Sequence, residues 1–232
     1  MPNKGNDPVI TRLEPLRPRG LRVRVHLDQG DPLEVALEAL ERLGLGVGDP
    51  LPPNRRHHLL DADAEVAIRE AALNLLSHRA RTRAELRSKL VGRGFRPARV
   101  DPCLDRLEER GLLDDAAVAS AFVRDRIRHR PRGARRLTQE LRAKGVGDAA
   151  ARQVVDGVLE EESLTETDLA RRVLEGWLKR QSRSVRQALA GSAPTPELEK
   201  ARRRLYGYLA RRGFAGPALS QVMDLARNLP SP

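Results

Sequence analysis

The sequence predicts a mainly α protein: three tandem three-helix repeats in an elongated, solenoid-like arrangement, preceded by a small strand-containing extension. Three observations carry this. A leucine, a second leucine four residues on and a glycine four beyond that recur as Leu86-Leu90-Gly94, Leu137-Leu141-Gly145 and Leu205-Leu209-Gly213. A large apolar residue follows each glycine: Phe95, Val146 and Phe214. Downstream, apolar residues stay in register as Val100, Ala151 and Leu219, then Leu104, Val155 and Met223, then Leu107, Val158 and Ala226. These spacings trace the inward stripe of a helix. A unit recurring at this period means stacked modules, each burying its apolar face on a neighbour. Leu86 to Leu137 is 51 residues and Leu137 to Leu205 is 68, so the third copy carries an insertion of 17, placed near 181–196. Upstream, Ala71 and Phe122 match fifteen residues before the first leucine, and Val173 matches once the insertion is allowed for.

The extension covers 1–62. Met1 to Pro8 reads as a polar tail. Val9 to Leu16 alternates imperfectly through Ile10, Leu13 and Leu16 until Arg17-Pro18-Arg19-Gly20 breaks the run. Leu21 to Leu27 alternates strictly, which puts Leu21, Val23, Val25 and Leu27 on one face of a half-buried strand. Asp28-Gln29-Gly30-Asp31 is a turn, and Pro32 to Ala36 returns as a strand running into a short helix that ends at Gly44. Gly48-Asp49-Pro50 and the prolines after it lead to a polar segment around His57 and His58.

The first repeat spans 63–113, with helices predicted at 64–78, 82–93 and 97–110. The second spans 114–163, with helices at 115–129, 133–144 and 148–162. The third spans 164–232, with helices at 165–180, 196–212 and 217–228. Capping residues agree with these bounds. Thr82-x-x-Glu85 and Ser163-x-x-Glu166 have capping-box spacing, in which a hydroxyl and a carboxylate satisfy free amides of the first turn. Asp114 and Asp148 suit N-caps, and Pro97, Pro196 and Pro217 suit first turns. Gly94, Gly145 and Gly213 stand where a helix closes on a left-handed residue.

Aromatic residues make up only 3% of the 232 residues, so the cores must be built from Leu, Val and Ala, which favours helices. Cys103 is the single cysteine, which excludes an intrachain disulfide and points to a reducing compartment. No apolar run approaches membrane-spanning length and no signal-like stretch follows Met1, so the chain is expected to be cytoplasmic, with no membrane partner, and monomeric.

Catalytic chemistry is hard to place. Cys103 adjoins the stripe residue Leu104 and reads as packing. His57 and His58 stand too close together to ligate from one helical face and lack cysteine or acidic companions. His78 and His129 both end the first helix of their repeats, where the helix dipole favours them. Gly44-x-Gly46-x-Gly48 faintly resembles a nucleotide loop but lacks the following helix and the lysine-hydroxyl pair. The expectation is a non-enzyme without metal or cofactor.

Charge is segregated. The net charge is +11, which favours a polyanion or an acidic protein face. Arg79 to Arg99 holds eight basic residues against one acidic, Arg124 to Arg136 seven against one, and Lys179 to Arg212 ten against two. The third helices and connectors are acidic, through Asp101, Asp105, Glu108, Glu109, Asp114, Asp115, Asp156 and Glu160 to Glu162. Stacking would align the second helices into a basic stripe suited to a phosphate backbone or an acidic groove. Candidate contacts are Arg79, Arg83, Arg87, Lys89, Arg93, Arg124, Arg126, Arg128, Arg132, Arg135, Arg136, Lys179, Arg180, Arg203 and Arg204. Tyr206 and Tyr208 join them, because they take the places of Arg87 and Lys89 in the first repeat. Trp177, Phe95, Phe122 and Phe214 fall in packing phase. That leaves no rank of rings for stacking bases, so backbone or protein contact is favoured over base reading.

Three runs together resemble the centre of the RecX regulators: Ala72-Leu73-x3-Ser77-His78-Arg79, Glu85-Leu86-x3-Leu90-x3-Gly94-Phe95, and Leu107-x3-Gly111-Leu112-Leu113-Asp114-Asp115. The stretch from Ala119 through Arg132-Gly133 to Glu140-Leu141-x2-Lys144-Gly145-Val146 is similar to that family's second repeat. The resemblance covers about Asp63 to Glu162, and the third repeat is less typical. It implies a non-catalytic inhibitor of the RecA recombinase. Such a protein lodges in the groove of the RecA–DNA filament, suppresses ATP hydrolysis, strand exchange and coprotease activity, and touches single- or double-stranded DNA without sequence preference. The alternative is a direct, largely sequence-independent DNA-binding or transcriptional protein that sets a second helix in a groove.

Overall fold

The computed structural model describes residues 7–16, 21–191 and 194–226. Residues 1–6 of the tail expected over 1–8, the expected break at 17–20, two residues of the insertion and the last two positions of the helix expected over 217–228 lie outside them. The described chain forms three strands and eleven helices, organised as two compact bodies. One takes in the residues up to 80 together with 86–112, and the other takes in 81–85 and everything from 113 onward.

In the first body β1 (Ile10–Leu16), β2 (Arg22–Leu27) and β3 (Leu33–Ala36) form an antiparallel sheet in that order. Val25 pairs with Leu13 on one side and Leu33 on the other. Val23 and Val25 are buried as the alternation predicts, but Leu21 precedes the strand and is 58% exposed. Helix α1 (Leu37–Leu43) continues directly from β3 and closes at Gly44, whose φ of 60° places it in the left-handed region. Helix α2 (Pro53–His78) is 26 residues long and begins 11 residues before the predicted start at 64. The polar segment around His57 and His58 is therefore its first turns. Pro53 occupies the first helical position, where its missing N–H costs nothing. Leu59, Ala62 and Val66 of α2 pack with Ile10, Val23, Val25, Val35 and Leu40 in one apolar core. Asp63 accepts the Ala36 N–H at 2.7 Å and pairs with Arg22, which pins the β3–α1 junction to α2.

Helix α3 (Arg83–Gly92) and α4 (Pro97–Glu109) complete the first repeat. Helices α5 (Asp115–His129), α6 (Ala134–Ala143) and α7 (Asp148–Glu161) form the second. In the third, α8 (Glu166–Leu178), α10 (Pro196–Arg211) and α11 (Gly216–Leu225) take the expected places. The insertion adds a helix of its own, α9 (Arg183–Ala190), which buries Leu189 and is N-capped by Ser182.

All six repeat leucines are fully buried, and so are Val100, Ala151, Leu104, Val155, Leu107, Val158 and Ala226 or nearly so. Met223 is only partly buried. On the first helices the inward residues are Ala72, Val123 and Leu174, one position later than expected for the first two copies. Ala71 and Phe122 lie at the edge of the core.

The helix closures repeat atom for atom. Gly94, Gly145 and Gly213 have φ of 93°, 86° and 89°. Phe95, Val146 and Phe214 each donate N–H to the carbonyl of the second repeat leucine, at 3.3, 3.1 and 3.3 Å. This is the Schellman closure, and it satisfies carbonyls the helix would otherwise leave orphaned. Two of the glycines have a second reason to be glycine. A Cβ on Gly145 would lie 2.1 Å from the Ala84 Cβ, and one on Gly213 would lie 2.4 Å from the Arg136 Cβ. Gly94 heads the series and has open space at that position.

Contacts between successive copies also repeat. Asp115, in the first turn of α5, accepts the Arg83 N–H at 2.7 Å; Glu166, in the first turn of α8, accepts the Ala134 N–H at 3.1 Å, and both pairs are 32 residues apart. Thr82 donates its hydroxyl to the Lys144 carbonyl at 2.5 Å, and at the matching place Gly133 N–H donates to the Arg212 carbonyl at 3.0 Å. Thr82 and Glu85 form the expected capping box. Ser163 does not cap α8, because it closes α7 with φ of 51° and the box is made by Thr165 and Asp168. Glu166 is thereby left to cap the helix of the preceding repeat.

Candidate polyanion-binding surface

The helices set the candidate cations into three electrostatic settings. In the first body, Arg87 on α3 is held bidentately by Asp101 on α4, at 2.6 and 3.1 Å, which holds its guanidinium above its ordinary value. Lys89 on the same helix and Arg93 in the turn just beyond it are exposed, with no ion pair among the described residues. Arg79 lies exposed just beyond α2, and Arg83 opens α3.

The second setting is a neutralised cluster. Glu140 on α6, with its side chain 18% exposed, pairs with Arg126 at 3.2 Å, Arg132 at 2.7 Å and Arg136 at 3.1 Å. Arg126 also lies over the Phe122 ring at 4.4 Å, and Lys144 lies over the same ring at 5.1 Å while pairing with Glu85 at 2.9 Å. Phe122 is thus a half-buried platform for cations. Arg124 pairs with Glu161 and Glu162 of α7. The acidic third helices therefore quench much of the charge on the helices beside them. Arg128 is exposed on α5 without an ion pair among the described residues.

The third setting is different. Between the α5–α6 connector, α8 and α10 lies a cleft of about 500 Å³, lined by Arg130, Arg132, Arg172, Arg180 and Arg212 around Tyr208. On the other side of Tyr208, a second cleft of about 480 Å³ is lined by Trp177, Lys200, Arg203, Arg204 and Arg211. Neither lining includes a carboxylate among the described residues. Tyr208 is fixed between them. Its hydroxyl accepts from Arg180 at 2.6 Å, the Arg212 guanidinium lies 4.8 Å from its ring centre, and Trp177 backs it at 6.4 Å. Arg212 is anchored further by donating to the Pro131 carbonyl at 3.2 Å. A third cleft of about 340 Å³ brings Arg135, Arg136 and Gln139 of α6 to Tyr206 and Arg211 of α10. Tyr206 is 54% exposed. Helices α6 and α10, the second helices of their repeats, thus both contribute to this cleft. Lys179 ends α8, exposed and without an ion pair among the described residues.

Arg130, Arg172, Lys200, Arg211 and Arg212 are the lining residues that sequence reasoning passed over. Their signal was present as Arg171-Arg172 on α8 and as Tyr208 followed four residues later by Arg212, neighbours on one helix face. Cys103 is buried in α4, and desolvation raises its thiol above the ordinary value, which makes it a packing residue. His78 and His129 end α2 and α5 and face the carbonyls of Asn74 and Asp125. No group of His, Cys, Asp and Glu that could hold a metal ion occurs among the described residues. No helix among them is long and apolar enough to cross a membrane.

Tandem three-helix repeats whose helix ends interlock and whose helices line cationic clefts define a helical-repeat protein with a strongly basic surface. The chain matches the RecX first three-helix domain over residues 69–107 and the RecX second three-helix domain over 114–155. It is 42% identical to the regulatory protein RecX of Halorhodospira halophila over 151 residues, 65% of this chain and 83% of that one. It is 34% identical to that of Prosthecochloris aestuarii, over 71% of this chain and 95% of the relative. A crystal structure of a regulatory protein RecX superposes with a TM-score of 0.70 at 24% identity, covering 94% of this chain and 99% of that one. RecX from Lactobacillus salivarius does so at 0.53 and 20%, covering 71% and 99%. The chain belongs to the RecX family of regulatory proteins.

Proposed function

We propose that this protein is a non-catalytic inhibitor of the RecA recombinase, acting in DNA repair. It binds in the groove of the RecA–DNA filament and suppresses ATP hydrolysis, strand exchange and coprotease activity. Family membership supports the regulatory class. The acid-free clefts flanking Tyr208 are the single observation that supports a polyanionic filament as the target. Interlocked helix ends suit this role, because they hold the arginines on rigid elements and little ordering entropy is lost on docking. Partner-binding residues are assigned to the unpaired cations Arg135, Lys179, Arg203 and Arg204 together with Tyr206 and Tyr208. Arg126, Arg132 and Arg136, held by Glu140, set the local geometry.

The test is ATP turnover by RecA on single-stranded DNA, titrated with this protein. Turnover falls with added protein, and it falls less with a Arg203→Glu/Arg204→Glu variant of unchanged helicity. Turnover indifferent to the protein at micromolar concentration refutes the proposal.

A further inference from the structure

Successive repeats are joined at the ends of their second helices, and the series leaves one donor and one acceptor over. Thr82, just ahead of α3, is fully buried and donates to the Lys144 carbonyl at the close of α6. Gly133, the N-cap of α6, is buried and donates its N–H to the Arg212 carbonyl at the close of α10. Thr195, the N-cap of α10, is exposed. Its hydroxyl accepts the Leu198 N–H at 3.1 Å, as the Thr82 hydroxyl accepts the Glu85 N–H at 3.2 Å, but it donates to nothing among the described residues. At the close of α3 the Arg93 carbonyl, counterpart of those of Lys144 and Arg212, accepts nothing among them either. Burial follows the same division. Val146 and Phe214 are covered at their closures, at 8% and 2% exposed, while Phe95 is only half-buried.

We infer that the first turn of α10 docks on the close of α3 in a second copy of the chain, so that the interlock used twice within the molecule is repeated between molecules. The tip is placed for it. Thr195 stands ten residues before Leu205, whereas Thr82 and Gly133 stand four before Leu86 and Leu137. The difference of six residues carries the Thr195 cap about 9 Å further out along its helix. The socket is open, because Gly94 has nothing within 4 Å of its missing Cβ, where Gly145 and Gly213 receive Ala84 and Arg136. Charge selects a second copy as the occupant. Lys89, Arg93 and Arg96 surround the socket, exposed and without an ion pair among the described residues. The first turn of α10 carries Glu197 and Glu199, both exposed; Glu197 has no ion pair among the described residues, and Glu199 meets Arg202 only at 3.9 Å. An acidic tip on a chain of net charge +11 thus finds its complement on that same chain. Bringing a helix N-terminus to a helix C-terminus also aligns their dipoles favourably. Tip and socket are different patches, so the contact is heterologous and propagates into rows instead of closing as a symmetric dimer. It is smaller than a standard stable interface, so dilute protein is monomeric and rows grow with concentration.

The experiment uses the full-length chain without recombinase. Sedimentation velocity across a concentration series shows the mean sedimentation coefficient rising, and added salt suppresses the rise because the contact is ionic. Arg93→Glu and Glu197→Lys change exposed side chains, so circular dichroism stays unchanged while each weakens association at least about tenfold. The double variant Arg93→Glu/Glu197→Lys exchanges the charges across the contact and recovers association. Cross-linking with a short bis-maleimide reads the direction of the contact from two exposed, uncharged positions, Gly92 and Pro196. Gly92→Cys alone and Pro196→Cys alone give no dimer, their equimolar mixture gives dimer, and the double-cysteine variant gives a ladder of multimers. Wild type, whose Cys103 is buried, is the control. Sedimentation independent of concentration overturns the inference. So does a dimer from either single-cysteine variant, which would mean a symmetric contact, or a charge-exchanged variant that fails to recover. Inhibition of RecA ATP turnover is a separate measurement, so this inference and the proposed function fail independently.

Discussion

Replacing Gly145 with alanine tests the stacking of the repeats at a single atom. The added Cβ meets two obstacles. Its backbone φ is 86°, and the Ala84 Cβ would lie 2.1 Å away. A side chain in the left-handed region costs about 1–2 kcal/mol. Forcing a methyl into a packed contact costs about 1–3 kcal/mol more. The total of about 2–5 kcal/mol corresponds to a fall in Tm of roughly 10 °C for a body of this size. Gly94→Ala is the internal control, because Gly94 has φ of 93° but nothing within 4 Å of the new atom. It should lose only the backbone part, roughly 4 °C. The clash can also be relieved from the other side. Ala84→Gly removes the obstructing methyl and leaves the Ala84 Cα at 3.5 Å, an ordinary contact. Alone it costs about 1 kcal/mol of helix propensity, but combined with Gly145→Ala it should recover more than it loses, a favourable coupling of at least about 1 kcal/mol. Urea denaturation of the four proteins in the cycle measures this. Equal losses at Gly145 and Gly94, with no coupling to position 84, would refute the close approach of α6's end to α3's first turn.

Other consequences are as definite. Glu140→Gln leaves Arg126, Arg132 and Arg136 without their shared carboxylate and should cost about 2 kcal/mol in urea denaturation; no loss would mean the cluster is already screened by solvent. Burial raises the Glu166 carboxyl above its ordinary 4.5, only partly offset by the Ala134 N–H it accepts. The folded state therefore binds that proton more tightly than the unfolded chain, and stability rises as pH falls from the raised value toward 4.5. Glu166→Gln keeps an acceptor for Ala134 without the charge. Thermal melts between pH 7 and 5 should show wild type gaining on this variant as pH drops, and parallel curves would contradict the buried carboxylate. Ser163, at φ of 51°, should accept glycine with a gain of about 1 kcal/mol, seen as a rise in Tm; a loss would restore Ser163 as a cap.

The repeat was legible because its signal is carried by large residues at helical spacing. Leucine pairs four apart and a glycine closing the turn leave few alternatives for the buried face, and all six leucines are buried. The start of α2 was obscured because Asn54 to His58 is polar, although Pro53 was available as a first-turn residue and Leu59, Ala62 and Val66 already ran at helical spacing. The insertion hid α9 for a similar reason, since a helix of eight residues anchored by Leu189 gives little periodicity to detect. The cap of α8 was misassigned because two boxes overlap, Ser163-x-x-Glu166 and Thr165-x-x-Asp168. Which of them closes depends on Glu166 being drawn to Ala134, 32 residues away. Charge was legible as clusters but not as pairs. Glu140 is one acid among many arginines in sequence, yet it neutralises three of them. The cationic cleft beside Tyr208 is assembled from the α5–α6 connector, α8 and α10, which only the fold brings together.

Co-pelleting with RecA filaments, assembled on single-stranded DNA with a non-hydrolysable ATP analogue, reaches the proposed role most directly. Wild-type protein should sediment with the filaments in a saturable manner. A variant reversed at Arg135, Arg203, Arg204 and Arg211 should stay in the supernatant while keeping its helicity. Wild-type protein left in the supernatant, or a reversed variant that sediments equally well, would contradict the account.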